Sequence, residues 1–429
     1  MSGGTGRREV LAAAAGAAAI HMLVAGAAIF AGITGTPAWH DEVGYHYPAI
    51  ERFASELPTP VLTDYKSATA PGYHLVMAVL LRLGLEGIPL HLANTLFGAL
   101  LAALLAGFVA CRAGGLVGLL AGAALGLSKY TVNPSVFIAT DNPAALLVVL
   151  SFVAATPIAL GTARFPMRSG IAAACAAMAA VMVRQVAAYA AGFTGAAFVA
   201  RACAERRWPR IGETVGSIVA LVPAILVIGL FVKMWGGLVP PSFKEYHASG
   251  GNAATPVYAL ALVAVWGGAA FLAIPGFLRE LFSRRALAIG ALAALVCCAV
   301  PTTYLVHVRF GGTLWSVAAR MPSIADRSIF LVVFAGIGAA ALGAYLRLWS
   351  RSTDGAARGL GAYALLAFVG MVLAQTTNSQ CFERYIQPLT LVFMTIAATA
   401  IAGRSARWWP FAAMCGVSAA WTALSLISA

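Results

Sequence analysis

Charge is scarce in this chain: Lys, Arg, Asp and Glu make up 10% of its 429 residues, against about 25% in soluble domains. No polar stretch is long enough to fold by itself, so residues 1–429 read as a single membrane-embedded unit. Apolar residues come in continuous blocks and do not alternate, which argues against a β-barrel. The cysteines form no CxxC pair and no metal-ligand spacing, and they read as reduced packing residues in or beside apolar runs. A Walker loop, a dinucleotide glycine fingerprint and an HExxH are all missing, so nucleotide- or zinc-based chemistry has no support.

What the chain does have is apolar length. It is 61% hydrophobic, and runs of about 17–25 residues, the length of a membrane-crossing helix, recur from end to end. The composition predicts an all-α, polytopic integral membrane protein with about 13 transmembrane helices. The net charge of +13 sits in short clusters between these runs, as the positive-inside rule expects of cytoplasmic loops, and nucleic acid is not an expected partner. Arg7-Arg8, Arg112, Arg164 with Arg168, Arg201 to Arg210, Arg279 to Arg285, Arg347 to Arg358 and Arg404 to Arg407 define that face.

Counting spans between the clusters puts residues 35–87 on the opposite, outer face. This works only if the piece 73–86 does not cross; carrying Arg82 and Glu86, it is too short to span and suits an interfacial helix. The 35–87 loop is far longer than the 12–15 residues beyond which loops are usually functional or disordered. It opens on a polar island, Trp39-His40-Asp41-Glu42, followed by His46. Paired carboxylates at a membrane boundary are costly unless something polar uses them.

Helical spacing of Val43, Tyr47, Ile50 and Phe53-Ala54 predicts a helix over 41–55, with Glu42, Glu51 and Arg52 on the other side. Glu42 and His46 then share a face, and Asp41 sits at the helix start, where free amides favour a carboxylate. The outer segments also collect Lys66, Asp141, Arg184-Gln185, Lys244, His247, Asp326-Arg327 and Glu383-Arg384. Such a set suits transfer from a lipid phosphate: a carboxylate deprotonates an incoming hydroxyl, and cations hold the departing phosphate. Competing structural readings exist: Asp141 could cap the helix at Asn142-Pro143, and Arg184 could pair with Asp141 rather than with substrate.

The order Asp41-Glu42, His46-x-Pro48, Thr69-x-Pro71-Gly72-Tyr73, Thr140-Asp141, Arg184-Gln185, Lys244-x-x-His247, Ala325-Asp326-Arg327 and Glu383-Arg384-Tyr385-x-x-Pro388 resembles the GT-C glycosyltransferases. Within them it is most similar to the α-1,2-glucosyltransferases that add the terminal glucose to dolichol-linked oligosaccharide. The resemblance implies a polyprenyl-phosphate sugar donor, an inverting displacement and a general base at Asp41, with Glu42 beside it as a catalytic residue. It implies substrate-binding roles for His46, Asp141, Arg184, Gln185, Lys244, His247, Asp326, Arg327, Glu383 and Arg384, and the outer-face grouping adds Lys66 as a further substrate-binding candidate. No cofactor and no metal are expected, since a lipid monophosphate donor can be held by Arg and Lys. The acceptor stays open between a lipid-linked glycan and a cell-envelope glycolipid, because Phe243 stands where the family has an acidic residue. The expected location is a bacterial plasma membrane with the site on its outer face. Mannosyl-, arabinosyl- or aminoarabinosyltransfer is the alternative chemistry, and a transporter the alternative class.

Overall fold

The computed structural model describes residues 5–246, 250–303 and 309–427. Among them, ten helices are long and apolar enough to cross a membrane, from Gly6–Phe30 to Trp409–Ile427. An eleventh is possible if the bent pair Gly115–Gly126 and Lys129–Val136 is one span. The expected count of about thirteen exceeds this because apolar length alone does not guarantee continuous helix. The run 256–278 forms Thr255–Leu262, a π turn at Val263–Gly267 and Gly268–Phe271, before Gly276 turns the chain at φ +82°. In the run 286–306, the described residues after Cys297, as far as 303, are not helical, and the helix is Arg284–Cys297.

Burial sorts the spans into layers. Glu383–Ser405 has 89% of its apolar window inside the protein, whereas Ile211–Trp235 has 17%, so the first is the axis and the second a peripheral, lipid-facing helix. Close packing depends on small residues where backbones meet. A Cβ on Gly338 would stand 1.9 Å from the Leu260 carbonyl oxygen, and one on Gly359 2.2 Å from that of Ala159.

The bundle has two chemically distinct ends. At one, Glu280 draws in Arg351 at 2.5 Å and Arg347 at 3.3 Å, and Arg404 reaches Glu9 at 3.7 Å. Arg358 donates to the Cys203 carbonyl at 3.3 Å. At this end, then, the basic loops separated in sequence come together.

The other end is built from the first long loop. Thr36 caps the start of Pro37–Asp41 by accepting from the Trp39 amide at 3.0 Å. A π turn, Glu42–His46, follows, and then Tyr47–Glu56. Ile50 and Phe53 are fully buried, as the spacing predicts. Val43 is not: it is 53% exposed while Glu42 and His46 are buried. The extra residue of the π turn rotates everything before it relative to an ideal wheel, so the phase inverts at its N-terminal end. Gly72–Arg82 is an 11-residue helix, roughly half the length a span needs. It packs tightly at its start, where a Cβ on Gly72 would meet the Met182 carbonyl at 2.6 Å.

Candidate active site at the loop end of the bundle

Four charged side chains from four elements converge on one cavity of about 740 Å3. Asp41 comes from the first loop helix. Asp141 is the first residue of Asp141–Ala159. Arg184 is an extended residue (φ −146°, ψ 122°) between Pro166–Val183 and the short 3-10 helix at Gln185. Arg384 is the second residue of Glu383–Ala402. That helix start is fixed by the strand Gln380–Phe382, which pairs in parallel with Arg309–Gly311.

The charges are paired crosswise. Arg184 donates to Asp141 at 2.5 Å and Arg384 donates to Asp41 at 2.6 Å. Both guanidiniums lie over the Tyr385 ring, that of Arg184 at 4.2 Å and that of Arg384 at 5.2 Å. Stacking on one ring while bound to carboxylates pre-orients both guanidiniums. The expected alternative partner for Arg184, Asp141, is therefore its partner here. Asp41 differs from expectation: the helix begins at Pro37, so Asp41 is a full turn inside it, and Arg384 faces it instead of free amides.

Around these pairs the cavity is lined by hydroxyls and amides, among them Ser67, Thr69, Thr140, Gln185 and Asn378. Gln185 donates to the Leu238 carbonyl at 2.7 Å and to the Ala68 carbonyl at 3.4 Å, and so joins the first loop to a later one. Beneath the pairs a slot continues between Ala144, Ala145, Val148 and Leu389. The site thus combines paired cations, neutral hydrogen-bonding walls and an apolar floor. Among the described residues no three His, Cys, Asp or Glu side chains converge as metal ligands.

His46 lines the same cavity, and its Nδ1 lies 3.0 Å from Nε2 of His74. His74 is fully buried and boxed by Phe53, Tyr65 and Tyr73, with ring centroids 5.7–6.5 Å away. Burial pulls the His46 imidazole down to about 4, Asp141 opposing and Arg184 and Arg384 assisting. Burial, with His46 beside it, pulls His74 down to about 3. Both rings are neutral at neutral pH.

The remaining sequence-derived residues lie elsewhere. Glu42 does not line the cavity: its buried carboxylate accepts from His91 Nε2 at 2.8 Å and from the Ile138 amide at 3.2 Å, clamping the loop helix to the span Ile88–Ala113 and to the turn that precedes Asp141. Glu383 is buried and accepts from the Tyr258 hydroxyl at 3.0 Å and the Leu314 amide at 2.8 Å. Lys66 and Lys244 are exposed outside the cavity, and Lys244 donates to the Gly236 carbonyl at 3.4 Å. Asp326 and Arg327 form a hairpin with Ser323–Ile324. The Asp326 carbonyl there accepts from the Thr302 amide at 2.9 Å and Arg327 Nε donates to the Cys298 carbonyl at 2.9 Å. His247 lies outside the described residues.

Sequence reasoning missed His74 and gave no role to Tyr385. Their signals were faint: His74 follows the Pro71-Gly72 turn inside an apolar piece, and Tyr385 adjoins Arg384. Comparison with family models finds no match, and neither does comparison with curated proteins. Among solved structures, the chain is similar to ArnT from Cupriavidus metallidurans in the apo state, at 15% identity and a TM-score of 0.39, over 90% of this chain and 77% of that one.

Proposed function

We propose that the protein is an inverting glycosyltransferase that moves a sugar from a polyprenyl-phosphate donor to a hydroxyl of a lipid-linked glycan or envelope glycolipid. The observation that carries this reading is the pair of arginines stacked on Tyr385 and facing Asp41 and Asp141 in one cavity, at one end of a bundle of membrane-length helices.

In this reading the donor phosphate engages Arg184 and Arg384, which are held in place before it arrives. The acceptor oxygen forms a bond to the anomeric carbon. The bond from that carbon to the phosphate oxygen breaks, and the phosphate keeps the electron pair. The hydroxyl proton passes to the Asp41 carboxylate. Glu42 positions this helix through His91 and the Ile138 amide rather than touching the reacting atoms. The two arginines supply the charge neutralisation that a divalent ion would otherwise provide, so turnover is expected to persist in chelator. The cavity end faces the outside of a bacterial plasma membrane, with the arginine-rich loops inside.

Glucose is the sugar favoured by the motif order, with mannose, arabinose and aminoarabinose as alternatives on the same site. The test is transfer of labelled glucose from synthetic polyprenyl-phosphate glucose by the purified protein in liposomes, beside the other donors. Transfer by wild type, with at least a hundredfold loss in a folded Asp41→Asn protein, supports donor class and base together. Transfer of no sugar from any of these donors would sink the reading.

A further inference from the structure

A contact at the start of the axis helix joins two segments far apart in the chain. The strand Arg309–Gly311 pairs in parallel with Gln380–Phe382, from Arg309 opposite Gln380 to Gly311 opposite Phe382. The next residues along the two strands, Gly312 and Glu383, then meet. Gly312 has φ +142°, and a Cβ on it would collide with the Cβ and the carboxylate of Glu383, so only glycine lets the backbone pass there. Beyond it a six-residue helix, Thr313–Ala318, opens on amides that its own turns cannot satisfy. Three of them are taken by oxygens from three other elements. The Thr313 amide donates to the Tyr130 hydroxyl at 2.8 Å, that of Leu314 to Glu383 at 2.8 Å and that of Trp315 to the Tyr258 hydroxyl at 2.9 Å. Tyr258 in turn donates to Glu383 at 3.0 Å, on the same carboxylate oxygen, Oε2, that Leu314 uses.

We propose that Glu383 is a positioning residue for sugar transfer: its buried carboxylate docks residues 309–318 onto the start of Glu383–Ala402 and so holds Arg384 against Asp41. A helix of six residues is too short to persist by itself, so this segment keeps its place through the strand pairing and the three amide bonds. Glu383 is 1% exposed and absent from the cavity wall, which leaves it no access to a ligand there. Its neighbours in the chain are on that wall: Gln380 and Phe382 before it, and Arg384 after it, donating to Asp41 at 2.6 Å. The docked segment thus backs the strand that walls the cavity and fixes the first turn of the helix that carries Arg384 and Tyr385. Freeing Glu383 from its donors loosens that turn and, with it, the guanidinium that meets the donor phosphate. The positioning role rests on the transferase reading; the docking does not.

The test uses the full-length protein in lipid nanodiscs, as wild type, Glu383→Gln, Glu383→Ala and Gly312→Ala. Gly359→Ala is the control, crowding helices beside Arg358 at the other end of the bundle. Hydrogen exchange in peptides covering 312–318 reports the docking, and the KM for the polyprenyl-phosphate sugar that turns over reports Arg384. Glutamine keeps an oxygen that can accept from both Leu314 and Tyr258, so Glu383→Gln should stay within about twofold of wild type in both readouts. Glu383→Ala should speed exchange in these peptides and raise the donor KM about tenfold. Gly312→Ala should do the same while keeping every side chain of the dock, and it carries the test if Glu383→Ala does not fold. Gly359→Ala should lower the unfolding midpoint and leave KM unchanged. Exchange that stays slow in both alanine variants, or that quickens with KM unmoved, overturns the proposal. So does a Glu383→Gln protein with slow exchange and a KM as poor as that of Glu383→Ala, because the carboxylate is then a substrate contact. A wild type that transfers no sugar, with exchange fast in Glu383→Ala and slow in Glu383→Gln, removes the transferase reading and leaves the docking assignment standing.

Discussion

Asp41 and Glu42 are neighbours in the chain and face different worlds. One lines the cavity against Arg384, and the other is buried in a clamp on His91 and the Ile138 amide. Asp41→Asn should therefore abolish transfer, while Glu42→Gln, which keeps an acceptor for the Ile138 amide, should retain most of it; assays of both variants at matched folded concentration decide this. Asp141→Asn strands Arg184 at 13% side-chain exposure, and loss of one partner from such a pair costs about 3–5 kcal/mol. A thermal unfolding series in detergent should show it. The histidines set a pH dependence. Their folded values, about 4 and about 3, lie below the ordinary 6.5, so the unfolded chain takes up protons first as pH falls. Stability is fully present above 6.5 and is lost as pH drops through about 4, on the order of 3 kcal/mol for His46. The midpoint of unfolding should fall over that window in wild type, and the slope should flatten in His46→Gln. The charged groups acting on His46 across this range, Asp141, Arg184 and Arg384, are the same in both proteins.

At the scale of elements, what was legible was length and periodicity, and what was hidden was local insertion. The apolar faces of 47–56 follow from spacing alone, and Ile50 and Phe53 are buried accordingly. The π turn at Glu42–His46 left no compositional trace, so the phase of Val43 and the position of Asp41 in the helix could not be read. The bend of 59° between Gly115–Gly126 and Lys129–Val136 is similar. A break at membrane depth frees carbonyls that must be satisfied within the protein. Here His21 Nδ1 binds the Gly126 carbonyl at 2.7 Å and the Thr422 hydroxyl donates to that of Leu127 at 2.6 Å. His21 Nε2 also meets the Ser135 hydroxyl at 2.8 Å, so both ring nitrogens of this buried histidine have partners. His21→Leu should cost about 1–3 kcal/mol by leaving buried polar groups unpaired. Gly338→Ala should cost about 1–3 kcal/mol by pushing two helices apart. Both are read from unfolding midpoints in the same detergent.

At the scale of the whole molecule, the alternation of basic clusters was enough to sort residues to two ends. The structure brings Asp41, Asp141, Arg184 and Arg384 to one end and the Arg347–Glu280 and Arg404–Glu9 pairs to the other. Three-dimensional convergence was not legible for Asp326, Arg327, Lys66 or Glu383, because lying at the same end is weaker than lying in the same cavity. Native cysteines test which end faces out. Cys203 and Cys298 are both exposed, the first beside Arg358 and the second beside Arg327. In single-cysteine proteins on intact cells, a membrane-impermeant maleimide should label Cys298 and spare Cys203; the reverse pattern would invert the assigned topology. The crosswise pairing has one more consequence. A site whose cations are already neutralised projects little field into the surrounding water, so sulfate and inorganic phosphate are not concentrated there. Competition from the anions of the medium is thereby weak, and under the proposed function a donor confined to the bilayer would reach the arginines by lateral diffusion at high local abundance, without electrostatic recruitment.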